Sequence, residues 1–400
     1  MLALSPRRIP RVSEIRDLLR LAPCVEPLDR PGIPDFFDVT SGKFAYRFFR
    51  DCEIAPFFRS AVGFDASDAW ILSDAAWLAY ADARMDPETE GASEEAGRII
   101  TERIRPSLSR LFEALWARDG RTAGTAMELR TFVRVCPVVG VPDPVQCFVA
   151  DDGNVGIVAF RGTVPTSLAN WLTDCEVKMV DADVPAAGVP ATGALVHEGF
   201  AGAARALIED FGRLPGLRRY LAERLAASPR LRLWFTGHSL GAALATIAAY
   251  RLGRLQSLYT YGSPRVGNAQ FARAFSGMGI SHHRVVHRHD IVTRVPVSLP
   301  LFEYEHVGDI KYIDHESDAD AASTRSGADS PPSVRIPTPE APPADTWQRF
   351  LELTRHFHVG RVGDWLDPIT DHAALYYSSL LWNELVREFG RGASLSSVLV

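Results

Sequence analysis

The sequence predicts an α/β fold whose central sheet is mostly parallel and carries helices on both faces. Three observations lead there. β-rich runs alternate with helical runs from residue 155 to residue 290, the order that parallel strands joined by crossover helices require. The run VGIVAF (155–160) is apolar without alternation, as a strand covered on both faces should be. The stretch 231–250, LRLWFTGHSLGAALATIAAY, reads as strand, tight turn and Ala-rich helix. Its turn, Gly237-His238-Ser239-Leu240-Gly241, is a G-x-S-x-G elbow, which holds a serine in a strained, exposed conformation between residues that must be small.

Four hundred residues are enough for one large or two ordinary domains with a substantial core. Hydrophobic residues make up 46% and charged residues 23%, the balance of a globular chain, and a net charge of −6 argues against a general nucleic-acid binder. No apolar run approaches the ~18 residues that a membrane span needs. The N-terminus offers only Leu2-Ala3-Leu4 before Ser5, Pro6 and two arginines, too short an apolar core for a secretory signal. Five cysteines without a C-x-x-C pair favour reduced thiols. A cytoplasmic location follows as the expectation, with export by another route left open.

Taken in order, residues 1–65 are rich in proline and phenylalanine and suggest no definite element. Residues 66–85 carry Trp70, Ile71, Trp77, Leu78 and Ala81 at helical spacing, with Asp68 as the expected cap. Glu94 to Arg118 forms a second amphipathic pattern that Pro106 should kink or break. Leu129–Val139 is β-rich, and Val145–Ala150 with Val155–Phe160 flank Asp151-Asp152-Gly153-Asn154 as a hairpin. Residues 164–196 read as loop around one short helix, SLANWLTD (167–174), and 197–227 as helix broken at Pro215-Gly216. After the elbow come strand Leu258–Tyr261, a helix over Ala269–Phe275, and strands at His283–His287 and Tyr304–Ile313. Residues 315–345 turn to Ser, Ala, Asp and Pro, the composition of a flexible insertion, and 346–358 and 371–388 return to helix. The domain reading is a largely helical N-terminal segment over 1–125, packed on a catalytic domain over 126–400.

If Ser239 is a nucleophile, it needs an acid and a base, which an elbow of this kind presents in the chain order Ser, Asp/Glu, His. Asp290 follows the strand ending near His287, where its carboxylate would reach the C-terminal sheet edge; Asp309 and Asp314 are less well placed. His372, opening the last helix, is the best-placed base, with His356 and His358 as alternatives on a helical run. Two N–H donors should stabilise a developing oxyanion, one from Leu240 and one from Thr163, whose hydroxyl can donate as well.

The ordered set AFRGT (159–163), VHEGF (196–200), TGHSLGAALA (236–245), YGSPRVGN (261–268), HDIVTRVP (289–296), YEHVG (304–308) and DHAALYY (371–377) resembles the fungal-type, or class three, lipase family of the α/β-hydrolase superfamily. The resemblance spans roughly residues 130–380. It implies an α/β-hydrolase fold with an N-terminal helical extension, and hydrolysis of lipid esters through an acyl-enzyme. It assigns Ser239 as nucleophile, Asp290 as acid, His372 as base and Thr163 as oxyanion-hole residue, with no metal or organic cofactor. Residues 164–190 would form a lid, with Leu168, Trp171, Leu172 and Cys175 on one helical face, open to transient contact with a lipid interface. The first 120 residues and the long Ser/Pro-rich stretch depart from the compact members.

Parts of the sequence also fit three other functions. His287 and His289 share a strand face and invite a metal, but no third ligand stands at suitable spacing. A non-catalytic interaction protein on the same fold would be expected to lack a triad member, and none is missing. An acyltransferase would use the same residues with an alcohol in place of water. Acyl-chain length and head group have no signature in the sequence.

Overall fold

The computed structural model describes residues 63–81, 92–121, 126–136, 144–163, 178–296 (apart from 184, 187, 189, 190 and 289), 303–313 and 372–390, with short pieces at 48–49, 52–54 and 58. The expected short helix at 167–174, with Leu168, Trp171 and Leu172, and the 315–345 insertion lie outside these residues, as do His356 and His358.

Helix α1 (Ala66–Leu78) is buried from Ser67 through Leu78. Its apolar residues lie on every side, as in a helix inside a core, and its buried carboxylates Asp68 and Asp74 are hydrogen-bonded. It stops at Leu78 rather than 85, and its cap is Asp65, whose carboxylate accepts the Asp68 N–H at 2.8 Å. The expected cap, Asp68, is itself 1% exposed and accepts the Phe58 N–H at 2.5 Å. Helix α2 (Ala92–Arg118) runs through Pro106 unbroken. Buried Ile100 and Ile104 before the proline, and Leu108, Leu111, Phe112 and Leu115 after it, seat both halves in one hydrophobic cluster, so packing outweighs the lost hydrogen bond.

Strands β1 (Glu128–Arg134), β2 (Val145–Asp151) and β3 (Val155–Phe160) form an antiparallel meander. The β2–β3 turn is closed by Asp152, whose carboxylate accepts the N–H groups of Asn154 and Val155 at 2.9 Å each. Two short strands follow, β4 (Met179–Asp181) and β5 (Leu195–His197), inside the stretch expected to be loop. They were missed because three-residue strands show no period. Helices α3 (Glu198–Ile208) and α4 (Leu217–Ala227) flank the expected break at Pro215-Gly216. Then come β6 (Arg232–His238), α5 (Leu240–Leu252), β7 (Ser257–Tyr261), β8 (Gly267–Asn268), α6 (Ala269–Gly277) and β9 (Ser281–His287). The single strand expected over Tyr304–Ile313 is two, β10 (Tyr304–Glu305) and β11 (Asp309–Ile313), which join different sheets. Helix α7 (Ala374–Gly390) closes the described chain.

The main sheet has seven strands in the order β1-β2-β3-β6-β7-β9-β11. From β3 onward every neighbouring pair is parallel. The second sheet, β10-β8-β5-β4, is antiparallel. Strand residues alternate between two cores. Trp234, Tyr259, Tyr261 and Val285 point into the cluster with α1, α2 and α7, whereas Leu233, Phe235 and Leu258 point into the one with α3 and α5. This is an α/β-hydrolase fold with a mostly parallel sheet covered on both faces. Phe48, Phe49 and Phe58, from the stretch with no expected element, are each at most 1% exposed in the first cluster. No helix among the described residues is long and apolar enough to cross a membrane.

Candidate active site

The elbow follows from two close approaches. A side chain at Gly237 would collide with the main chain of Gly241, and one at Gly241 with the carbonyl of Phe160 at the end of β3. Freed of both, the chain reverses between β6 and α5, and Ser239 takes φ 59°, ψ −132°. A non-glycine residue rarely holds that conformation unless its surroundings impose it. Here its N–H donates to the Tyr261 carbonyl at 3.0 Å and its carbonyl accepts from the Ala242 N–H at 2.9 Å.

Asp290 stands just past β9, as expected, and is fully buried. Its Oδ2 lies 2.8 Å from His372 Nδ1, and the Tyr377 hydroxyl donates to the same oxygen at 2.5 Å. Its Oδ1 accepts the Val292 N–H at 2.9 Å. Burial alone would raise its pKa, but the His372 charge and the hydrogen bonds from His372 and Tyr377 outweigh it, so the carboxyl is held below the usual range. The Asp309 alternative sits exposed at the start of β11, opposite His283.

Gly262, at the end of β7, shapes the space between these partners. Its φ is +55°, and a Cβ there would stand 2.6 Å from Asp290 Oδ2 and 2.8 Å from His372 Nδ1. Thr163 lies beside Gly162, whose Cβ position is 3.0 Å from the Ser239 Cβ, so the strand-end loop presses on the elbow. Ser239 Oγ, His372 Nε2 and Thr163 Oγ1 are buried and form no hydrogen bond. Ser239, Asp290, His372, Thr163 and Leu240 are thus gathered at one edge of the sheet. Ser239 and His372 do not themselves hydrogen-bond in this structure.

Three residues enter this constellation that the sequence reading did not assign. Tyr377 holds Asp290, and its oxygen also accepts the His287 N–H at 3.2 Å. His238 stacks on His372 with ring centroids 4.5 Å apart. Tyr80 places its hydroxyl 2.8 Å from His238 Nδ1. Tyr377 and His238 lay inside motifs already picked out, and Tyr80 inside a helical run taken as packing. Among the described residues no group of three His, Cys, Asp or Glu side chains is placed to hold a metal; His289 lies outside them.

Residues 157–299 match the family model described as Lipase (class 3). A secreted mono- and diacylglycerol lipase of Fusarium solani is 32% identical over 47% of this chain and 53% of its own. A secreted mono- and diacylglycerol lipase of Penicillium cyclopium is 31% identical over 46% and 56%. The chain therefore spans about half the length of these curated relatives. Among solved structures, lipase II of Rhizopus niveus shares 28% identity over 50% of this chain and 74% of its own, with a TM-score of 0.39. These relatives overturn the expected cytoplasmic location, since both curated ones are secreted by name. The cysteine argument misled for a physical reason. Cys52 and Cys147 are fully buried, and burial pushes the Cys52 thiol up to about 12 and that of Cys147 higher still, so both are unreactive thiols whose free state does not report the compartment.

Proposed function

We propose that the chain, whose residues 157–299 match the family model described as Lipase (class 3), is a serine hydrolase of lipid carboxylic esters, resembling triacylglycerol lipases. One observation carries the proposal. Asp290 and His372 are paired at 2.8 Å beside a strained elbow serine, and the hydroxyl of that serine and His372 Nε2 are both left without partners.

In the mechanism proposed, His372 Nε2 takes the proton of Ser239 as Oγ attacks the ester carbonyl carbon. Asp290 orients the ring through Nδ1 and stabilises the imidazolium, a task for which it must stay ionised. The oxyanion of the tetrahedral intermediate accepts hydrogen bonds from the N–H groups of Leu240 and Thr163 and from the Thr163 hydroxyl, each worth about 3 kcal/mol of barrier. Collapse breaks the ester C–O bond, and the imidazolium protonates the departing alcohol. Water then attacks the acyl-enzyme with His372 again as base, releasing the acid and free Ser239. Contact with a lipid surface through residues 164–190 is part of the proposal, on the strength of the apolar stripe Leu168, Trp171, Leu172 and Cys175.

A fluorophosphonate probe with a panel of p-nitrophenyl esters, glycerides and phospholipids tests the reading. The expected result is stoichiometric labelling and hydrolysis, both abolished by Ser239→Ala. A folded wild type that takes no label would sink it. Interface contact predicts a jump in rate as the ester passes its solubility limit, and smooth saturation through that point would count against it.

A further inference from the structure

We propose that His238, held in one tautomer by Tyr80, is a positioning residue that fixes His372 through its main chain and its ring. The inference rests on the triad reading above.

His238 is 5% exposed and both of its ring nitrogens are engaged. Nε2 lies 2.7 Å from the His372 carbonyl oxygen, and Nδ1 lies 2.8 Å from the Tyr80 hydroxyl. A carbonyl oxygen only accepts, so Nε2 carries the proton, Nδ1 is the acceptor and Tyr80 donates. Burial first, and the nearby His372 second, push His238 down to about 3, so its ring stays neutral at any ordinary pH.

Neutrality and tautomer both matter at this place. The two imidazoles stack at 4.5 Å and 29°, and a second cation there would oppose the charge His372 acquires in the reaction. The Nε2 proton holds the main chain of His372, while Asp290 holds its side chain. With only the second restraint, the ring keeps its partner but the His372 carbonyl loses the bond that fixes it against the elbow. An apolar residue before Ser239 would fill the same space and supply no donor.

Tyr80 is itself placed by the sheet. The Gln146 side-chain amide of β2 donates to the carbonyls of Ala79 and Ala81, at 2.8 and 3.0 Å, on either side of it. The Arg161 N–H donates to the Gln146 carbonyl at 2.9 Å, and the Arg161 guanidinium to its side-chain oxygen at 3.3 Å. A Cβ at Gly162 would collide with the Tyr80 hydroxyl. The end of α1 therefore reaches the point where the Thr163 loop, the elbow and the base meet.

The test compares kcat and KM for p-nitrophenyl butyrate in the full chain and in Tyr80→Phe, His238→Leu and His238→Gln, beside Tm. His238→Leu should lower kcat about 10–100-fold, the scale of a small misplacement of a reacting group, and Tyr80→Phe about 3–10-fold. KM should stay within about twofold in both, because neither residue is placed on the substrate. His238→Gln, whose amide can donate where Nε2–H did, should recover most of the loss. Wild-type kcat in Tyr80→Phe and His238→Leu, or an equal fall in the Leu and Gln variants, overturns the inference. So does a loss of kcat that tracks a loss of Tm. Should His238→Leu not fold, Tyr80→Phe, which removes a single oxygen, decides. Ser239→Ala and His372→Ala run alongside: if they are inactive while the Tyr80 and His238 variants are normal, only this inference fails. If Ser239→Ala stays active, the triad reading fails with it.

Discussion

Fully buried, Asp290 would by itself favour its neutral form, yet hydrogen bonds from Tyr377 and Val292 and the pairing with His372 keep it charged. Its pKa is lower folded than unfolded. The stability it contributes is therefore present above the unfolded value of about 3.9 and is lost as pH falls through the folded one. Asp290→Asn should flatten that acid-side decline in a denaturation series and lower kcat about 10⁴-fold, the cost of an imidazole in the wrong tautomer. Gly262→Ala is as direct a probe. At φ +55°, with Asp290 and His372 atoms 2.6 to 2.8 Å from the new methyl, it should lower kcat about 100-fold and Tm by several degrees. A variant with normal kcat would show that the pair has room to move.

At the scale of an element, α1 carries two buried carboxylates that hold the chain preceding it. Asp68 accepts the Phe58 N–H and Asp74 accepts the Phe49 N–H at 2.7 Å, and both phenylalanines are in the core. Burial first, and the Asp65 charge second, push Asp68 up to about 8, against the Phe58 N–H. A carboxyl raised in the folded state binds a proton that the unfolded chain has lost. Stability should thus fall as pH rises from about 4 to about 8 and level off above. Asp68→Asn keeps an oxygen for the Phe58 N–H and removes the charge. It should stabilise the protein at pH 8 by on the order of 1 kcal/mol or more and flatten the decline. Denaturant midpoints at pH 5 and pH 8 check this, and an unchanged slope would mean that Asp68 is ionised throughout.

At the scale of the whole molecule, helices α1 and α7, more than 290 residues apart in the chain, share one face of the sheet. Trp70 of α1 and Trp382 of α7 pack with ring centroids 4.5 Å apart and planes tilted by 59°, and the Ser378 hydroxyl donates to Asp74. Helix α7 begins two residues after His372, so this packing also anchors the base. Trp382→Ala should cost about 3–5 kcal/mol of stability and slow fluorophosphonate labelling of the molecules that stay folded. Urea unfolding and labelling rates measured on the same preparation check both. A destabilised variant that labels at the wild-type rate would show that the base is held by its local bonds alone.

The sequence by itself determined the elbow, the hairpin, the alternation of strands and helices, and the candidates Ser239, Asp290 and His372. These rest on local constraints: a turn that excludes side chains, an unbroken apolar strand, an acid one step beyond a strand. Only the tertiary structure decided the rest. Tyr80 meets His238 across 158 residues and Tyr377 meets Asp290 across 87, separations at which no periodicity survives. It also divided Tyr304–Ile313 between two sheets, because two-residue β10 takes its partner β8 from another part of the chain. The helical spacing over 66–85 marked Trp77, Leu78 and Ala81 for packing and said nothing of Tyr80 between them. What the Tyr80 hydroxyl would meet was set by the folding of β2, β3 and the elbow around it.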